Sequence, residues 1–219
     1  MLVSQLHSTQ YPALTFTDKV SFALHLMDEY DVNHLPVLNA EKYTGIISKD
    51  DLLDADESAA LYSLQDNLIK VSVKENEFFM RALKQAADNE LSMVAITNTD
   101  NELTATVHYI DLIKAASVFN GAEDKGAIII IEMDKRNFSF GEITRLVETN
   151  NAYITQLNTT VQPDTGMLLL TLKINKFEVS DIVATFQRYD YDVKYYFGDE
   201  HFANEIKENY ALLMNYLNM

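Results

Sequence analysis

The sequence YTGIISKDDLL at residues 43–53 returns in altered form as LTATVHYIDLI at residues 103–113. In this alignment Asp51 corresponds to Asp111. Each stretch follows a short run of strand-forming residues and opens a helix. A repeated half-unit usually buries its apolar face against its twin, so the repetition predicts two similar units packed together. Such packing also places two similar clefts side by side, where a small molecule could bind.

The same order of predicted elements, β-α-β-β-α, surrounds both stretches. In the first unit the patterns predict strands at 13–16, 35–38 and 43–47, with Thr17 and Ser48 as the N-caps of two helices. In the second unit they predict strands at 69–73, 93–96 and 103–107 and helices at 75–87 and 109–119.

The composition changes after the second unit. Residues 120–126 are polar, carry two glycines and indicate a domain boundary. The order β-α-β-β-α-β follows, which is the ferredoxin-like arrangement. Apolar residues then recur at helical spacing in the tail, which predicts an amphipathic helix with one stripe formed by Phe202, Ile206, Tyr210, Leu213 and Leu217.

The predicted fold class is therefore α+β, with four segments. The two repeats occupy residues 1–60 and 61–120, the ferredoxin-like domain 126–198, and the C-terminal helix 199–219. Because the repeats alternate strands and helices, they are locally of α/β type.

The bulk composition excludes several classes of function. The net charge of −16 would repel phosphate backbones and anionic lipid, which argues against nucleic-acid and membrane-surface binding. No apolar run approaches the ~20 residues of a membrane span, and MLVSQLHSTQ lacks the features of a secretory signal. We therefore expect a cytoplasmic protein. The absence of cysteine excludes disulfides, thiolate metal sites and cysteine nucleophiles.

The first repeat resembles a cystathionine-β-synthase (CBS) domain, and the pair resembles a Bateman module. The resemblance rests on HLPVL at 34–38 and on a signature of Gly, two apolar residues, Ser or Thr, any two residues, then Asp. The signature reads Gly45-Ile46-Ile47-Ser48-Lys49-Asp50-Asp51, a full match. Nucleotide-binding members of the family hold the ribose hydroxyls through the Ser/Thr and the Asp.

The resemblance implies a ligand that contains adenosine: AMP, adenosine, ATP or S-adenosylmethionine. Ser48 and Asp51 would bind its ribose, and Leu14, Pro36 and Ile46 would line the adenine slot. Lys49 is the only cation in this loop. Independently, a carboxylate accepts hydrogen bonds from two vicinal hydroxyls, which suits Asp51 to that role. The alternative is that Ser48 and Asp51 only cap a helix.

The second repeat departs from the signature. Ala105 replaces the Gly and His108 replaces the Ser or Thr, while Asp111 is kept. His108 could donate to a ribose oxygen, and its charge would change near neutral pH. Because it is bulkier, it could also fill the cleft, and we expect this second site to be the weaker one.

The third domain resembles the ACT fold, a regulatory module that often binds amino acids. In the alignment Phe138 stands where that family usually has a glycine, which would crowd the backbone approach of a ligand. Two CBS repeats followed by an ACT-like domain resemble the architecture of acetoin-utilisation proteins of the B type.

The sequence thus predicts a regulatory protein that senses a ligand, is not an enzyme, needs no cofactor and forms a homodimer. A scaffold that binds no ligand is the alternative. Asp50, Asp54 and Glu57 have the spacing of one helical face and could hold Mg²⁺ or Ca²⁺. Such a face is more commonly solvated, and no metal site is predicted.

Overall fold

The structure is a computed structural model, and it describes residues 1–6 and 11–198. The chain divides into two compact units, Met1–Phe119 and Asn120–Met219. The predicted C-terminal helix over 199–219 lies outside the described residues.

The first repeat is a three-stranded sheet with two helices. Its elements are β1 (Leu14–Thr15), α1 (Val20–Glu29), β2 (His34–Asn39), β3 (Lys42–Ser48) and α2 (Lys49–Leu53). Strand β2 lies between a parallel β1 and an antiparallel β3. The centre of β2 is buried on both faces, which explains its continuous apolar run Leu35–Val37.

The second repeat has the same architecture. Its elements are β4 (Ser72–Lys74), α3 (Met80–Asp88), β5 (Met93–Thr97), β6 (Leu103–His108) and α4 (Tyr109–Phe119). Strand β5 again lies between a parallel β4 and an antiparallel β6. The β-α-β-β-α repeat read from the sequence is therefore confirmed.

Helices α1 and α3 begin later than the sequence predicts, because distant segments bind their first N–H groups. The N–H of Val20 donates to the carbonyl of Ala59 at 3.0 Å, so Lys19 and not Thr17 is the N-cap. The N–H of Phe79 donates to the carbonyl of Met1 at 3.2 Å, and α3 starts one residue later. The start of the chain thus binds the second repeat, whereas the segment after α2 folds back on the first repeat.

The second unit forms a four-stranded antiparallel sheet in the order β10-β7-β9-β8. This is the predicted ferredoxin-like topology. Its elements are β7 (Ala127–Met133), α5 (Phe140–Glu148), β8 (Ile154–Val161), β9 (Leu168–Ile174), α6 (Ser180–Arg188) and β10 (Asp192–Phe197).

Helices α5 and α6 pack on one face of the sheet. Residues alternate between buried and half-buried along β7 and β9, because successive side chains of a strand point to opposite faces. Ile129 and Leu170 contribute to the core, where they meet Leu146 of α5 and Phe186 of α6. Among the described residues, no helix has both the length and the apolar character needed to cross a membrane.

Candidate functional site

Ser48 and Asp51 form a small hydrogen-bonded cluster at the end of β3. The Ser48 Oγ accepts a hydrogen bond from the backbone N–H of Asp51 at 3.1 Å, and it donates to the Asp51 carboxylate. Both residues are half-buried. The structure therefore brings the two predicted ribose-binding residues together, with Ser48 as the N-cap of α2.

Asn67 is the third member of this cluster, and the sequence patterns did not indicate it. Its Nδ2 donates to Asp51 Oδ1 at 2.8 Å. Asn67 belongs to the linker between the repeats, where a polar residue ordinarily signals only a loop. With this contact, both oxygens of the Asp51 carboxylate have a donor.

Lys49 forms an ion pair with Asp28. Its Nζ lies 2.5 Å from Asp28 Oδ1, and about a third of the Lys49 side chain is exposed, at 30%. Asp28 lies on α1 and was not singled out in the sequence. An ion pair this exposed contributes little to stability, but it neutralises the cation that the sequence placed beside the cleft.

Gly45 is required by close packing of the linker against β3. A Cβ at this position would stand 2.8 Å from the Cβ of Leu68 and 3.1 Å from the carbonyl oxygen of Ile69. The neighbouring Ile46 exchanges two backbone hydrogen bonds with Ile69, at 3.0 and 2.9 Å. The glycine of the signature therefore serves the packing of the linker, whether or not a ligand binds.

The residues predicted to line the adenine slot are buried. Leu14 belongs to the core of the first repeat, and Ile46 packs with Leu91 and Ala95 of the second repeat. Both side chains are fully buried, and Pro36 is buried as well. An adenine ring would reach Leu14 or Ile46 only by displacing core neighbours. Their role as slot walls stays a prediction.

The second cleft contains its predicted residues in a different arrangement. The His108 Nδ1 accepts a hydrogen bond from the N–H of Ile110 at 3.3 Å, and Asp111 pairs with Lys114 at 3.0 Å. The His108 ring lies 6.2 Å from that of Tyr11 and 4.7 Å from that of Tyr109. Burial lowers the pKa of His108, although Asp111 acts in the opposite direction. His108 occupies the position that corresponds to Ser48 of the first repeat. It packs among aromatic rings, whereas Ser48 contacts Asp51.

His34 connects the two repeats beside the first cleft. Its Nδ1 lies 3.0 Å from Ser92 Oγ and accepts a hydrogen bond from the N–H of Ser92 at 3.1 Å. The pair borders a cavity of about 430 Å³ whose apolar wall includes Leu83, Tyr109 and Ile113. His34 directly precedes the predicted strand at 35–38, but its partner lies on the other repeat and could not be identified without the fold.

We expect acid to weaken this connection. Burial lowers the pKa of His34 below its usual 6.5, with Asp50 and Asp51 opposing the shift. Since the folded state binds the proton less readily than the unfolded state, stability is intact above about pH 6.5 and falls as the pH drops toward the lowered pKa. Two-dimensional NMR should show a His34 titration midpoint below 6.5.

A matched variant separates this titration from other acid effects. Asn can present an acceptor oxygen to Ser92 but does not titrate. Between pH 7.5 and 5.5, His34→Asn should therefore lose less free energy of unfolding, measured by urea denaturation, than the wild type. A midpoint at or above 6.5 for His34 would contradict the proposed cause.

The acidic residues Asp50, Asp54 and Glu57 do not form the predicted helical face. Helix α2 ends at Leu53 and Asp54 is its C-cap, so Glu57 lies beyond the helix. The chain turns here because the carbonyl of Glu57 accepts from the N–H of Ser21 in α1, at 3.0 Å. Within residues 1–6 and 11–198 no group of three or more metal-ligating side chains converges.

The ferredoxin-like unit has its own cavity, of about 580 Å³. Five carboxylates line it: Glu132, Asp134, Glu142, Asp190 and Asp192. Such a lining would repel the carboxylate of an amino acid. Phe138, which aligns with the glycine of the ACT fold, lies just outside helix α5 and is partly exposed.

Residues 3–58 match the family model of the CBS domain. This segment contains Ser48 and Asp51, and it is similar to a CBS domain over the whole first repeat. The second repeat shares its element order and strand order, so the first unit has the fold of a CBS pair.

Solved structures with a similar chain path include three named proteins. A CBS domain pair/ACT domain protein from Thermotoga maritima shares 22% identity, covering 54% of this chain and 98% of its own, with a TM-score of 0.49. A putative acetoin utilization protein (AcuB) from Vibrio cholerae shares 19%, covering 56% and 95%, with a TM-score of 0.46. The cytosolic domain of the Mg²⁺ channel MgtE in complex with ATP shares 16%, covering 50% and 46%, with a TM-score of 0.43. Because these sequence identities and TM-scores are low, the similarity assigns neither a ligand nor a partner to this chain.

Proposed function

We propose that this protein is a non-catalytic regulator whose CBS pair binds an adenosine-containing ligand in the cleft of Ser48 and Asp51. The cluster formed by Ser48, Asp51 and Asn67 carries the proposal. It presents a half-buried carboxylate to neutral donors, at the position where the CBS signature places a ribose.

The ribose would replace donors that Asp51 already has. A vicinal diol offers two hydroxyl donors to one carboxylate, matching in number the Ser48 hydroxyl and the Asn67 amide. The exchange therefore keeps a donor on each oxygen of the Asp51 carboxylate, and an unsatisfied buried group would otherwise cost about 1–3 kcal/mol. Asn67 would be released, while Ser48 could keep its contact with the N–H of Asp51 at 3.1 Å.

Release of Asn67 provides a route from the ligand to the rest of the pair. Asn67 lies next to Leu68 and Ile69, which pack on Gly45 and pair with Ile46. Farther up the linker, Ala59 binds the first N–H of α1. A ligand that binds one arrangement of the linker more tightly than another shifts the packing of the repeats toward it.

Charge selects among the candidate ligands. Lys49 is already paired with Asp28, and the whole chain carries a net charge of −16. A triphosphate without Mg²⁺ would meet a repulsive field. AMP, adenosine or S-adenosylmethionine is therefore favoured over free ATP.

Isothermal titration calorimetry on the full chain tests the proposal. We expect binding heat with at least one of AMP, adenosine, S-adenosylmethionine and ATP, and weaker binding of ATP without Mg²⁺ than of AMP. Guanosine monophosphate is the control for recognition of the base. Absence of heat with the whole adenosyl set, together with no co-purified nucleotide by mass spectrometry, would refute the proposal.

One observation favours the alternative of a scaffold that binds no ligand. The Asp51 carboxylate is satisfied by Ser48 and Asn67 without any ligand, as a purely structural cap would be. A stable homodimer that shows no binding in the titration would support the scaffold. Light scattering on the same samples measures the oligomeric state.

A further inference from the structure

A continuous row of aromatic rings runs between the two repeats at the second cleft. The Tyr11 ring lies 6.3 Å from that of Tyr30 and 6.2 Å from that of His108, which in turn lies 4.7 Å from that of Tyr109. Centroid separations of about 4.5–7 Å are those of interacting aromatic pairs. Tyr30 is the C-cap of α1 in the first repeat, whereas Tyr109 begins α4 in the second. The row therefore joins the repeats at the helix start that carries the second cleft.

Tyr11 is the member of this row that the chain inserts from outside the helices. It precedes β1 and is half-buried. It packs against the apolar core that contains Leu14 and Met27, and its ring also meets that of His108. Tyr11 is thus held by the core of the first repeat while it contacts the cleft of the second.

Strand register identifies the counterpart of Tyr11 beside the first cleft. In each repeat a buried residue of the first strand pairs with one of the second strand, which lies opposite Gly45 in one repeat and Ala105 in the other. These equivalent pairs are Leu14 with Val37 and Val73 with Ile96. Tyr11 and Lys70 each stand three residues before such a pair. Lys70 is exposed, so the half-buried ring at this position is a feature of the second cleft alone.

We infer that Tyr11 fills the second cleft in place of a ligand, so that the CBS pair binds one ligand per chain, at Asp51. This inference rests on the ligand site proposed above. A flat aromatic ring takes the space in which a base would stack. A free ligand loses translational and rotational freedom when it binds, and a side chain of the same chain does not bear that cost. Tyr11 therefore competes well against any ligand for this cleft.

The surroundings of His108 support a filled cleft. Burial lowers the pKa of His108, while Asp111 and Asp31 act in the opposite direction and Lys114 adds to the lowering. In a cleft open to water, burial would be small and the two carboxylates would raise this pKa instead. His108 is thus largely neutral at pH 7 and packs as an aromatic ring.

Calorimetric stoichiometry on the full chain tests the inference. Tyr11→Lys combined with His108→Ser gives the second cleft the residues that stand at these positions in the first, Lys70 and Ser48. With the tightest ligand of the adenosyl set, we expect one ligand per wild-type chain and two per chain of the double variant. Tyr153→Lys, at an exposed position of the ferredoxin-like unit, is the control for the added charge and should keep one ligand.

The stoichiometries separate this inference from the proposed function. One ligand per chain in a folded double variant, or two in the wild type, would overturn the role of Tyr11 and leave the site at Asp51 standing. Absence of binding by every protein would refute the proposed function instead, and the role of Tyr11 would then be decided by a measurement that needs no ligand.

That measurement is the NMR titration of His108. Tyr11→Ala removes the ring and admits water, so the His108 midpoint should rise from its lowered value toward 6.5 or above, as Asp111 and Asp31 then act without the opposing burial. Tyr11→Phe keeps the ring and should leave the midpoint unchanged. Thermal unfolding shows that both variants are folded. The same midpoint in Tyr11→Ala and the wild type would overturn the inference, whether or not any ligand binds.

Discussion

Asp51→Ala is expected to weaken binding of the adenosyl ligand by roughly 100-fold or more. A hydrogen bond to a charged group contributes about 1.5–3 kcal/mol, and the ribose would donate two of them to this carboxylate. Since about 1.4 kcal/mol corresponds to a tenfold change in affinity, the loss of both exceeds two orders of magnitude. Calorimetry with the tightest ligand of the adenosyl set measures the effect.

The matched variant is Asp111→Ala, which should change the affinity by less than about threefold. Asp111 is paired with Lys114, and His108 beside it sits among aromatic rings. Asp51→Asn keeps an acceptor oxygen, so its affinity for the ligand should lie between those of the wild type and of Asp51→Ala. Thermal unfolding of each variant shows whether the fold is intact. Equal losses from Asp51→Ala and Asp111→Ala would mean that the two clefts are ranked wrongly.

Gly126→Ala is expected to destabilise the ferredoxin-like unit by about 2–6 kcal/mol. Gly126 has a φ of +147°, which side chains rarely adopt, and an added Cβ would overlap the carbonyl oxygen of Ile174. Backbone strain of this kind costs about 1–3 kcal/mol, and overpacking adds about 1–3 kcal/mol. The adjacent residue, Ala127, donates its N–H to the carbonyl of Lys176 at 2.8 Å, so the strand cannot shift without losing this bond.

Gly141→Ala is the natural control for this substitution. Gly141 lies in α5, and a Cβ there meets no atom within 4 Å. Alanine favours the helix by up to about 1 kcal/mol, so this variant should be neutral or slightly more stable. Urea denaturation followed by circular dichroism compares the two. A wild-type midpoint for Gly126→Ala would contradict the close packing seen at the start of β7.

Most of the fold could be predicted from local periodicity in the sequence. Alternation and helical spacing predicted the repeat and the order of the six α-helices found in residues 1–6 and 11–198, and the range 109–119 coincides with α4. The predictions failed where a distant segment completes an element. Helix α1 starts at Val20 because Ala59 accepts its first hydrogen bond, and α3 starts at Met80 after Phe79 binds Met1.

The residues of the candidate site also separate into those that a local pattern predicts and those that depend on distant contacts. Ser48 and Asp51 could be found because the motif places a hydroxyl and a carboxylate three residues apart around a helix start. Asn67, Asp28 and Ser92 could not be found, since their contacts with Asp51, Lys49 and His34 join parts of the chain that are far apart in sequence.

By itself, then, the sequence determined the two β-α-β-β-α repeats, the ferredoxin-like order after them and the Ser48–Asp51 pair, because each depends on residues within one turn, strand or helix. Only the tertiary structure decided which groups satisfy the Asp51 carboxylate, that Lys49 is neutralised by Asp28, and that Gly45 is needed for the approach of Leu68. The physical reason is that hydrogen bonds, ion pairs and steric contacts depend on distance in space, which a local pattern of residues does not encode.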